Sequence, residues 1–313
     1  YGSHCAVRDL SFDIAKGECV GFLGLNGAGK STTLRLLSCL LLPTSGKVTI
    51  AGLDVEEQAR EIRGLIGYLP EIPPLYGEMT VREYLRFAGK LRAMEPQRLA
   101  SRLDAVVGRC GLARVFDAPI QSLSHGFKQR VGIAQAIIHE PALLILDEPM
   151  LGLDPVQIVE LREMIQGLRG NHTILLSTHM LTEIEATCDR ILMMHEGSIA
   201  AHGTEAQLAE KYGGGGRLEL LVAGEVEAAC EALSSLQEAG APEVVSANEG
   251  LVRIRLQTHS ECRAEASQAV IGAGLGLLEL RRIASGLESV FLRLSETGGA
   301  VSAVPATEAE AQV

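Results

Sequence analysis

A glycine-rich run that ends in Lys30 and Ser31 carries the most direct chemical information in this chain of 313 residues. Residues 24–32 read Gly-Leu-Asn-Gly-Ala-Gly-Lys-Ser-Thr, which matches the spacing GxxxxGK followed by Ser or Thr. Glycines at this spacing let backbone N–H groups turn inward around an anion, and the N-terminus of a following helix adds partial positive charge. The run therefore predicts a triphosphate site, in which Lys30 reaches the β- and γ-phosphates and Ser31 is a ligand of Mg²⁺.

Two carboxylates follow a separate apolar run farther along the chain. Residues 143–146 are Leu-Leu-Ile-Leu, and Asp147 and Glu148 come directly after them. A buried parallel strand that ends in acids delivers them to the edge of the sheet where α/β proteins bind ligands. We expect Asp147 to hold Mg²⁺ through water and Glu148 to polarise an attacking water. Because many strands end in acids, this pair gains its meaning only together with the glycine-rich run.

Strand-like and helix-like patterns alternate over the first two thirds of the chain, and they position both segments in one sheet. An apolar run leads into the glycine-rich segment, and a helical pattern at 32–41 follows it. Another helix is expected to open at Thr80, with Glu83 completing a capping box. This alternation predicts an α/β fold with a parallel sheet covered on both faces. The predicted strands span residues 18–23, 47–51, 65–69, 142–146, 173–177 and 190–194.

Four consecutive glycines, 213–216, predict a flexible linker between two domains. Residues 1–212 form the first predicted domain. Residues 217–296 are predicted to form a small C-terminal α+β accessory domain, whose order of strand, helix, hairpin (around 248–250), helix and strand suits a ferredoxin-like fold. Residues 297–313 contain mainly Ala, Gly, Glu and Thr, with a Pro, and are expected to be disordered.

Composition narrows the class of partner. Lys and Arg total 28 against 39 Asp and Glu, a formal net charge of −11, and with no basic run this disfavours a nucleic-acid partner. The seven cysteines include no CxxC pair, so we expect reduced thiols rather than a zinc site or a disulfide framework. No apolar stretch approaches the ~18 residues needed to cross a bilayer. The chain opens at Tyr1 rather than Met, so we expect the natural N-terminus to lie farther upstream.

Three further motifs give the chain a family resemblance. Leu-Ser-His-Gly-Phe-Lys-Gln-Arg at 123–130 lies between the two segments described above, while Gly-Leu-Asp-Pro at 152–155 and Leu-Ser-Thr-His at 176–179 follow them. In this order and spacing they resemble the nucleotide-binding domain of ABC transporters, over essentially all of residues 1–212. The first motif looks like the LSGGQ element, which separates ABC ATPases from other P-loop enzymes. The resemblance implies a P-loop NTPase fold of ABC type with a helical subdomain at about 73–140.

The resemblance also implies ATP hydrolysis and assigns roles to individual residues. Tyr1 falls where the family's aromatic residue stacks on adenine, and His179 matches the switch histidine at the γ-phosphate. An ordinary surface tyrosine and a structural histidine are the alternatives. The residues implied to bind ATP are Tyr1, Asn26, Gly27, Gly29, Lys30, Ser31, Thr32, Ser124, Gly126 and Asp154. The implied catalytic residues are Glu148 and His179, and the implied Mg²⁺ ligands are Ser31, Glu71 and Asp147.

In the family, two cassettes enclose two ATP molecules, so the resemblance implies a homodimer or a heterodimer with a second cassette. Ser124 and Gly126 are expected to close on the ATP held by the other subunit, and Asp154 matches the loop that crosses to it. ATP-driven closure is then expected to power export through a separate integral membrane permease, with this chain bound peripherally at the cytoplasmic face of the cell membrane. Residues 73–76, Pro-Pro-Leu-Tyr, could contact that subunit, although a plain loop explains them equally well.

Three residues depart from the usual family pattern. His125 and Phe127 stand where LSGGQ has Gly and Gln, and Glu71 stands where most relatives have Gln. These departures, with the run Ile-Gly-Tyr-Leu-Pro-Glu at 66–71, look like the bacterial type-2 ABC exporter branch, which includes gliding-motility-associated and multidrug or lipid exporter ATPases. Leu-Glu-Ser-Val-Phe-Leu at 287–292 resembles the LEDVFL ending of the same branch, although any amphipathic helix would read similarly.

Two other functions stay open at this point. A soluble ABC protein of translation or DNA repair generally has two cassettes or a long coiled coil, and this acidic chain shows one cassette and no heptad insertion. A regulatory cassette without turnover is suggested by Glu71, His125 and Phe127. The presence of both carboxylates, Lys30 and His179 disfavours that second alternative.

Overall fold

The computed structural model describes Gly2 and residues 5–212, 216–236, 239–248, 250–258 and 262–283. These residues form two compact units that divide between His202 and Gly203. Several predicted features fall outside the described residues, namely Tyr1, glycines 213–215 of the linker, the 287–292 motif and the tail at 297–313.

The strands described in the first unit are β1 (Cys19–Leu23), β2 (Thr49–Ile50), β3 (Leu53–Asp54), β4 (Ile66–Leu69), β5 (Leu143–Asp147), β6 (Thr173–Thr178), β7 (Arg190–His195) and β8 (Ser198–Gly203). Six of them form a sheet in the order β4-β5-β6-β1-β7-β8. Neighbours among the first five strands of this order pair in parallel. Every residue of β1 and β5 is buried, as expected for parallel strands covered on both faces. The predicted strand at 47–51 lies outside this sheet, because β2 pairs antiparallel with β3 in a separate ribbon.

The helices described in the first unit are α1 (Lys30–Leu37), α2 (Ala59–Leu65), α3 (Val81–Leu91), α4 (Pro96–Arg109), α5 (His125–Ile137), α6 (Pro155–Gln166) and α7 (Leu181–Thr187), with 3₁₀ turns at Ala113–Val115 and Ile120–Ser122. The predicted capping box is present, since the Thr80 side chain accepts from the backbone N–H of Glu83 and the Glu83 carboxylate accepts from that of Thr80. The first helix ends before predicted residue 41, because Cys39 adopts a left-handed φ of 56° and Pro43 disfavours helix just before it. No helix in the described part of the chain is long and apolar enough to cross a membrane.

Alternate side chains of the strands pack into two hydrophobic cores, one on each face of the sheet. One core joins Phe22, Ile145 and Leu175 to Leu34 of α1 and Ile62 of α2. The core on the opposite face joins strand residues to helices α3, α4 and α5. Its fully buried members include Leu85, Val106, Ile133, Leu144 and Leu176. The helices on both faces hold the strand ends in fixed positions, which is what a site built at one edge requires.

The second unit contains α8 (Glu205–Tyr212), β9 (Gly216–Ala223), α9 (Val226–Ser234), β10 (Glu243–Asn248), β11 (Leu251–Thr258), α10 (Arg263–Gly272) and β12 (Gly276–Ile283) among its described residues. The sheet order β10-β11-β9-β12, antiparallel throughout, is that of the ferredoxin-like fold predicted from the sequence. Helix α8 belongs to this unit, so the division precedes the residue 212 at which the sequence placed it. On the sheet, Glu219 is only 4% exposed beneath Arg253, Arg255 and Arg281, which hold its pKa at about 2.

Candidate nucleotide-binding site

The carboxyl ends of three parallel strands bring the predicted chemical groups to one edge of the sheet. β1 leads into the glycine-rich run, after which α1 begins at Lys30, and β5 ends at Asp147. β6 lies between these two strands, with Thr178 opposite Leu23 and Ser177 opposite Asp147. Residues far apart in sequence are therefore neighbours at this edge.

The backbone of the glycine-rich run disfavours side chains at three positions. A Cβ added at Gly24 would lie 2.6 Å from the carbonyl oxygen of Met194, and one at Gly29 would lie 2.8 Å from that of Ala6. Gly27 and Gly29 also have φ values of 86° and 99°, a region that favours glycine. Turns that contain left-handed residues form concave, amide-lined anion sites, so this conformation fits the predicted phosphate cradle.

Lys30 is a buried cation beside the cradle. Its side chain is 6% exposed, and Nζ donates to the carbonyl oxygens of Gly24 at 2.7 Å and Leu25 at 3.4 Å. Nζ also lies 3.6 Å from Oε1 of Glu148. A buried ammonium held by carbonyls and a carboxylate is poised at the position where a phosphate would neutralise it.

Asp147 is the acceptor for two hydroxyl groups. Its Oδ1 accepts from Ser177 Oγ at 2.6 Å and from Ser31 Oγ at 3.2 Å, and the residue is buried. Hydroxyl and carboxylate oxygens are the donors that Mg²⁺ prefers. The described residues contain no group of three His, Cys, Asp or Glu side chains placed to hold a metal. Mg²⁺ usually keeps several waters and shares its coordination with phosphate oxygens, so one hydroxyl and one carboxylate are ligands of a kind it uses.

Glu148 is held in an unusual backbone conformation next to His179. Its φ is 46°, and its backbone N–H donates to the carbonyl oxygen of Ser177 at 3.0 Å. The carboxylate is 8% exposed, and Oε2 lies 2.9 Å from Nδ1 of His179. Because a carboxylate only accepts, Nδ1 carries the proton. This carboxylate has one oxygen held by an imidazole and the other 3.6 Å from Nζ of Lys30, an arrangement that can orient a water beside the glycine-rich run.

A cleft of about 540 Å³ joins most of the predicted residues. Its predicted lining residues are Asn26, Gly27, Gly29, Lys30, Ser31, Thr32, Glu71, Glu148 and His179, and Ala6, Leu25 and Leu151 also line it. Asp147 adjoins the cleft through its hydrogen bond to Ser31. Ser124, Gly126 and Asp154 do not line it, and Tyr1 lies outside the described residues.

Besides the three unpredicted lining residues, two polar residues near Asp147 were missed by sequence reasoning. Ser177 holds Asp147, and the only signal for it was its place near the end of a strand that leads to His179. Tyr68, on the strand beside β5, lies near the same carboxylate. Burial and then the Asp147 charge raise the pKa of Tyr68 to about 12, so its phenol stays protonated.

Ser124 and Asp154 begin two neighbouring helices. The Ser124 side chain is exposed and accepts from the backbone N–H of Phe127 at 3.4 Å, which caps α5. Asp154 caps α6 by accepting from the backbone N–H groups of Val156 and Gln157, both at 3.0 Å. A Cβ added at Gly126 would lie 2.5 Å from Oε1 of Gln157, so the two helix starts pack closely. Exposed helix N-termini with hydroxyl caps can donate to phosphate oxygens supplied by another molecule.

Comparison with known proteins places these features in context. A family model described as "ABC transporter" matches residues 7–151. The linearmycin resistance ATP-binding protein LnrL of Bacillus subtilis (strain 168) is 32% identical over 94% of this chain and 95% of its own length. The Nod factor export ATP-binding protein I of Rhizobium meliloti is 39% identical over 68% of this chain and 67% of its own. A dimeric post-hydrolysis structure of the ATP-binding cassette MJ0796, bound to ADP and Pi, superposes with a TM-score of 0.59 at 25% identity, covering 64% of this chain and 90% of that chain.

Proposed function

We propose how the residues of this chain bind and hydrolyse ATP, and which kind of transport the hydrolysis powers. The chain belongs to the ABC transporter family of ATP-binding proteins. The chain is an ABC transporter ATP-binding subunit and an ATPase. The observation that carries the proposal is the single cleft that joins the cradle at Lys30 to the Glu148–His179 pair.

The proposed reaction uses each group according to its geometry. The backbone amides of residues 24–29 and the ammonium of Lys30 bind the β- and γ-phosphates. On binding, Lys30 exchanges its carbonyl and carboxylate partners for phosphate oxygens. Glu148 orients the attacking water in line with the bond to the γ-phosphate, and His179 fixes that carboxylate through Nδ1. With Nδ1 donating to the carboxylate, the imidazolium form of His179 would present its Nε2–H as a donor to the γ-phosphate.

Mg²⁺ is the proposed metal, and Ser31, Asp147 and Glu71 are the residues that would hold it or its waters. When bound, Mg²⁺ neutralises charge that develops on the phosphate oxygens. Ser31 and Asp147 already share a hydrogen bond, while Glu71 is exposed and lines the same cleft. Glu71 adds a negative charge where most relatives have an amide, which favours a cation at this position.

The proposed active unit is a dimer in which each ATP site is completed by the other subunit. The exposed Ser124 cap and the packed Gly126 lie away from the cleft of their own chain, which leaves their donors available to a second cassette. The related cassette MJ0796 forms a dimer with ADP and Pi, which supports this arrangement. A homodimer and a heterodimer both satisfy the geometry.

The proposed membrane partner docks after strand β4. Ile72 is 82% exposed and Tyr76 55% exposed, and Tyr76 packs edge-on against Phe87 with ring centroids 5.6 Å apart. An exposed apolar and aromatic surface of this kind fits a protein partner rather than nucleic acid. Binding there would place the chain peripherally at the cytoplasmic face of the membrane, beside an integral permease.

Export is the proposed direction of transport, within the type-2 exporter branch. The motifs at 66–71 and 123–130 support this branch, as does the export function in the name of the Nod factor relative. The linearmycin resistance relative aligns over both units of this chain, which supports one shared domain organisation. The transported compound would be selected by the permease.

ATP hydrolysis and ATP-dependent dimerisation of the full chain test the proposal together. With MgATP, the wild-type chain is expected to hydrolyse ATP, and Glu148→Gln is expected to retain ATP and accumulate as dimers by size-exclusion chromatography. Glu57→Gln, an exposed carboxylate outside the cleft, is the matched control and should behave as wild type. A wild-type chain without activity, alone and with its membrane subunit, would instead indicate a regulatory cassette.

A further inference from the structure

His125 makes a hydrogen bond that a glycine at the same position could not make. Its Nε2 lies 2.9 Å from the backbone carbonyl oxygen of Leu151. A carbonyl oxygen only accepts, so Nε2 carries the proton and donates it. The side chain therefore ties the first residue of α5 to the loop that connects β5 to α6.

The carbonyl that accepts this bond belongs to a turn that begins at the proposed catalytic carboxylate. The backbone N–H of Leu151 donates to the carbonyl oxygen of Glu148 at 3.1 Å, which closes the turn. Glu148 already has a left-handed φ of 46°. The imidazole of His125 thus fixes the opposite end of a short turn in which Glu148 is the strained residue.

Neighbouring contacts join the same two segments over about one helical turn. Gly152 has a φ of 74°, and a Cβ added there would lie 3.5 Å from Nε2 of His125. Farther along, Gly126 packs against Gln157, and Arg130 forms an ion pair with Glu160. The Gly126 and Arg130 contacts do not involve the His125 side chain, so they hold the helices together while His125 adds a specific constraint on the turn at Glu148.

We infer that His125 is a positioning residue that couples the two ATP sites of the dimer. This inference rests on the composite site proposed above, in which Ser124 and Gly126 close on the partner's ATP. The residue between them then contacts the turn that carries Glu148 for the ATP of its own chain. Closure of one site shifts the α5 start, and the hydrogen bond passes that shift to the carboxylate of the other site. In this role the His125 side chain acts through the turn at Glu148 rather than on ATP or the attacking water.

ATP-concentration dependence of hydrolysis separates coupling from simple stability. The full chain is assayed with MgATP as wild type, His125→Leu, His125→Gly and His125→Gln. Leucine fills similar space without a donor, glycine removes the side chain, and glutamine places an amide N–H at comparable reach. His202→Leu, at an exposed histidine of β8, is the matched control.

The wild-type and His125→Gln chains are expected to show cooperative hydrolysis, with a Hill coefficient approaching about 2 for two sites. His125→Leu and His125→Gly are expected to approach a coefficient of about 1 and to lose about fivefold in kcat, the effect of one hydrogen bond. ATP binding to the isolated chain and the melting temperature should stay within error of wild type. Because glycine is the usual family residue here, that variant keeps the test valid if leucine disturbs folding.

Retained cooperativity in both His125→Leu and His125→Gly would overturn the inference. It would also be overturned if His125→Gln lost as much cooperativity and kcat as His125→Leu. The outcome for the composite site is read separately, from ATP-dependent dimers of Glu148→Gln in the same preparations. Dimers and turnover in wild type with no effect of His125 would reject the coupling role alone. Absence of ATP-dependent dimers would reject the composite site and the coupling role together.

Discussion

Glu148 and His179 form a hydrogen-bonded pair across two neighbouring strands, with Oε2 and Nδ1 2.9 Å apart. Asp147 lies opposite Ser177 in the register of β5 and β6. Glu148, which follows β5, and His179, which follows β6, are therefore neighbours. Proton donation by Nδ1 fixes the imidazole ring, so the carboxylate and Nε2 have defined positions relative to each other. Neither residue can be repositioned without affecting the other.

The first prediction follows from this pairing. Glu148→Gln and His179→Ala are each expected to lower kcat by about 10²- to 10⁴-fold, because the attacking water loses its orienting group. The double variant should be no slower than the slower single variant, since the two residues act as a unit. Steady-state phosphate release at saturating MgATP measures all three, and effects that multiply would show that the residues act separately.

Glu71 leads to a prediction about metal dependence. Glu71→Gln removes one negative charge from the cleft, so the Mg²⁺ concentration for half-maximal hydrolysis should rise by about three- to tenfold, while kcat at saturating Mg²⁺ changes less. Glu78→Gln, an exposed carboxylate nearby, is the control. The measurement is a Mg²⁺ titration at fixed ATP. An unchanged midpoint would place Glu71 outside the metal environment.

Gly67 of β4 allows a prediction about stability alone. A Cβ there would lie 2.2 Å from the carbonyl oxygen of Ala136 and 2.9 Å from Cγ of Pro141, so Gly67→Ala forces β4 away from α5. We expect it to lower the free energy of unfolding by about 3 kcal/mol. Gly64→Ala in α2, where a Cβ meets nothing within 4 Å, should instead stabilise by about 0.5–1 kcal/mol. Urea titration of both variants tests the contrast, which equal effects would contradict.

His139 predicts part of the response to acid. Burial lowers its pKa to about 4 from an ordinary 6.5, while Nε2 lies 3.1 Å from the carbonyl oxygen of Ile66. The unfolded chain takes up a proton near pH 6.5 and the folded chain resists until about pH 4. This contribution to stability is therefore constant above pH 6.5 and declines as pH falls through that window, by at most about 3 kcal/mol.

The variant His139→Gln isolates this effect. Glutamine keeps a donor for Ile66 but does not titrate, whereas carboxylates such as Glu18, whose pKa is lowered, are common to both proteins. The difference in unfolding free energy between wild type and variant should shift in favour of the variant as pH falls from 6.5 to 4. A difference that does not change with pH would show that His139 protonates freely in the folded chain.

Local sequence predicted the features whose residues are contiguous. The cradle at 24–32, the acids at the end of β5 and the Thr80 capping box all follow from short-range spacing, and the structure contains each of them. The ferredoxin-like order of the second unit was equally readable, because hairpin and helix signals alternate within a short span.

Contacts between segments distant in sequence were not predictable in the same way. The bond from Ser177 to Asp147 depends on β6 lying beside β5, and the bond from His125 to Leu151 depends on how α5 packs on the following loop. No local pattern encodes either relationship. The end of α1 was predicted too late because apolar periodicity continued through Leu41, while Pro43 and the backbone at Cys39 determine where the helix stops.

The position of β6 between β1 and β5 also constrains the order of events during synthesis. The cradle leaves the ribosome early, but it cannot face Glu148 until the strand ending at Thr178 has inserted between their two strands. Parallel pairing of distant segments is slow to form because the intervening chain must close first. ATP present in the cell can therefore meet the complete site, with Glu148 facing the cradle, only after translation has passed β6.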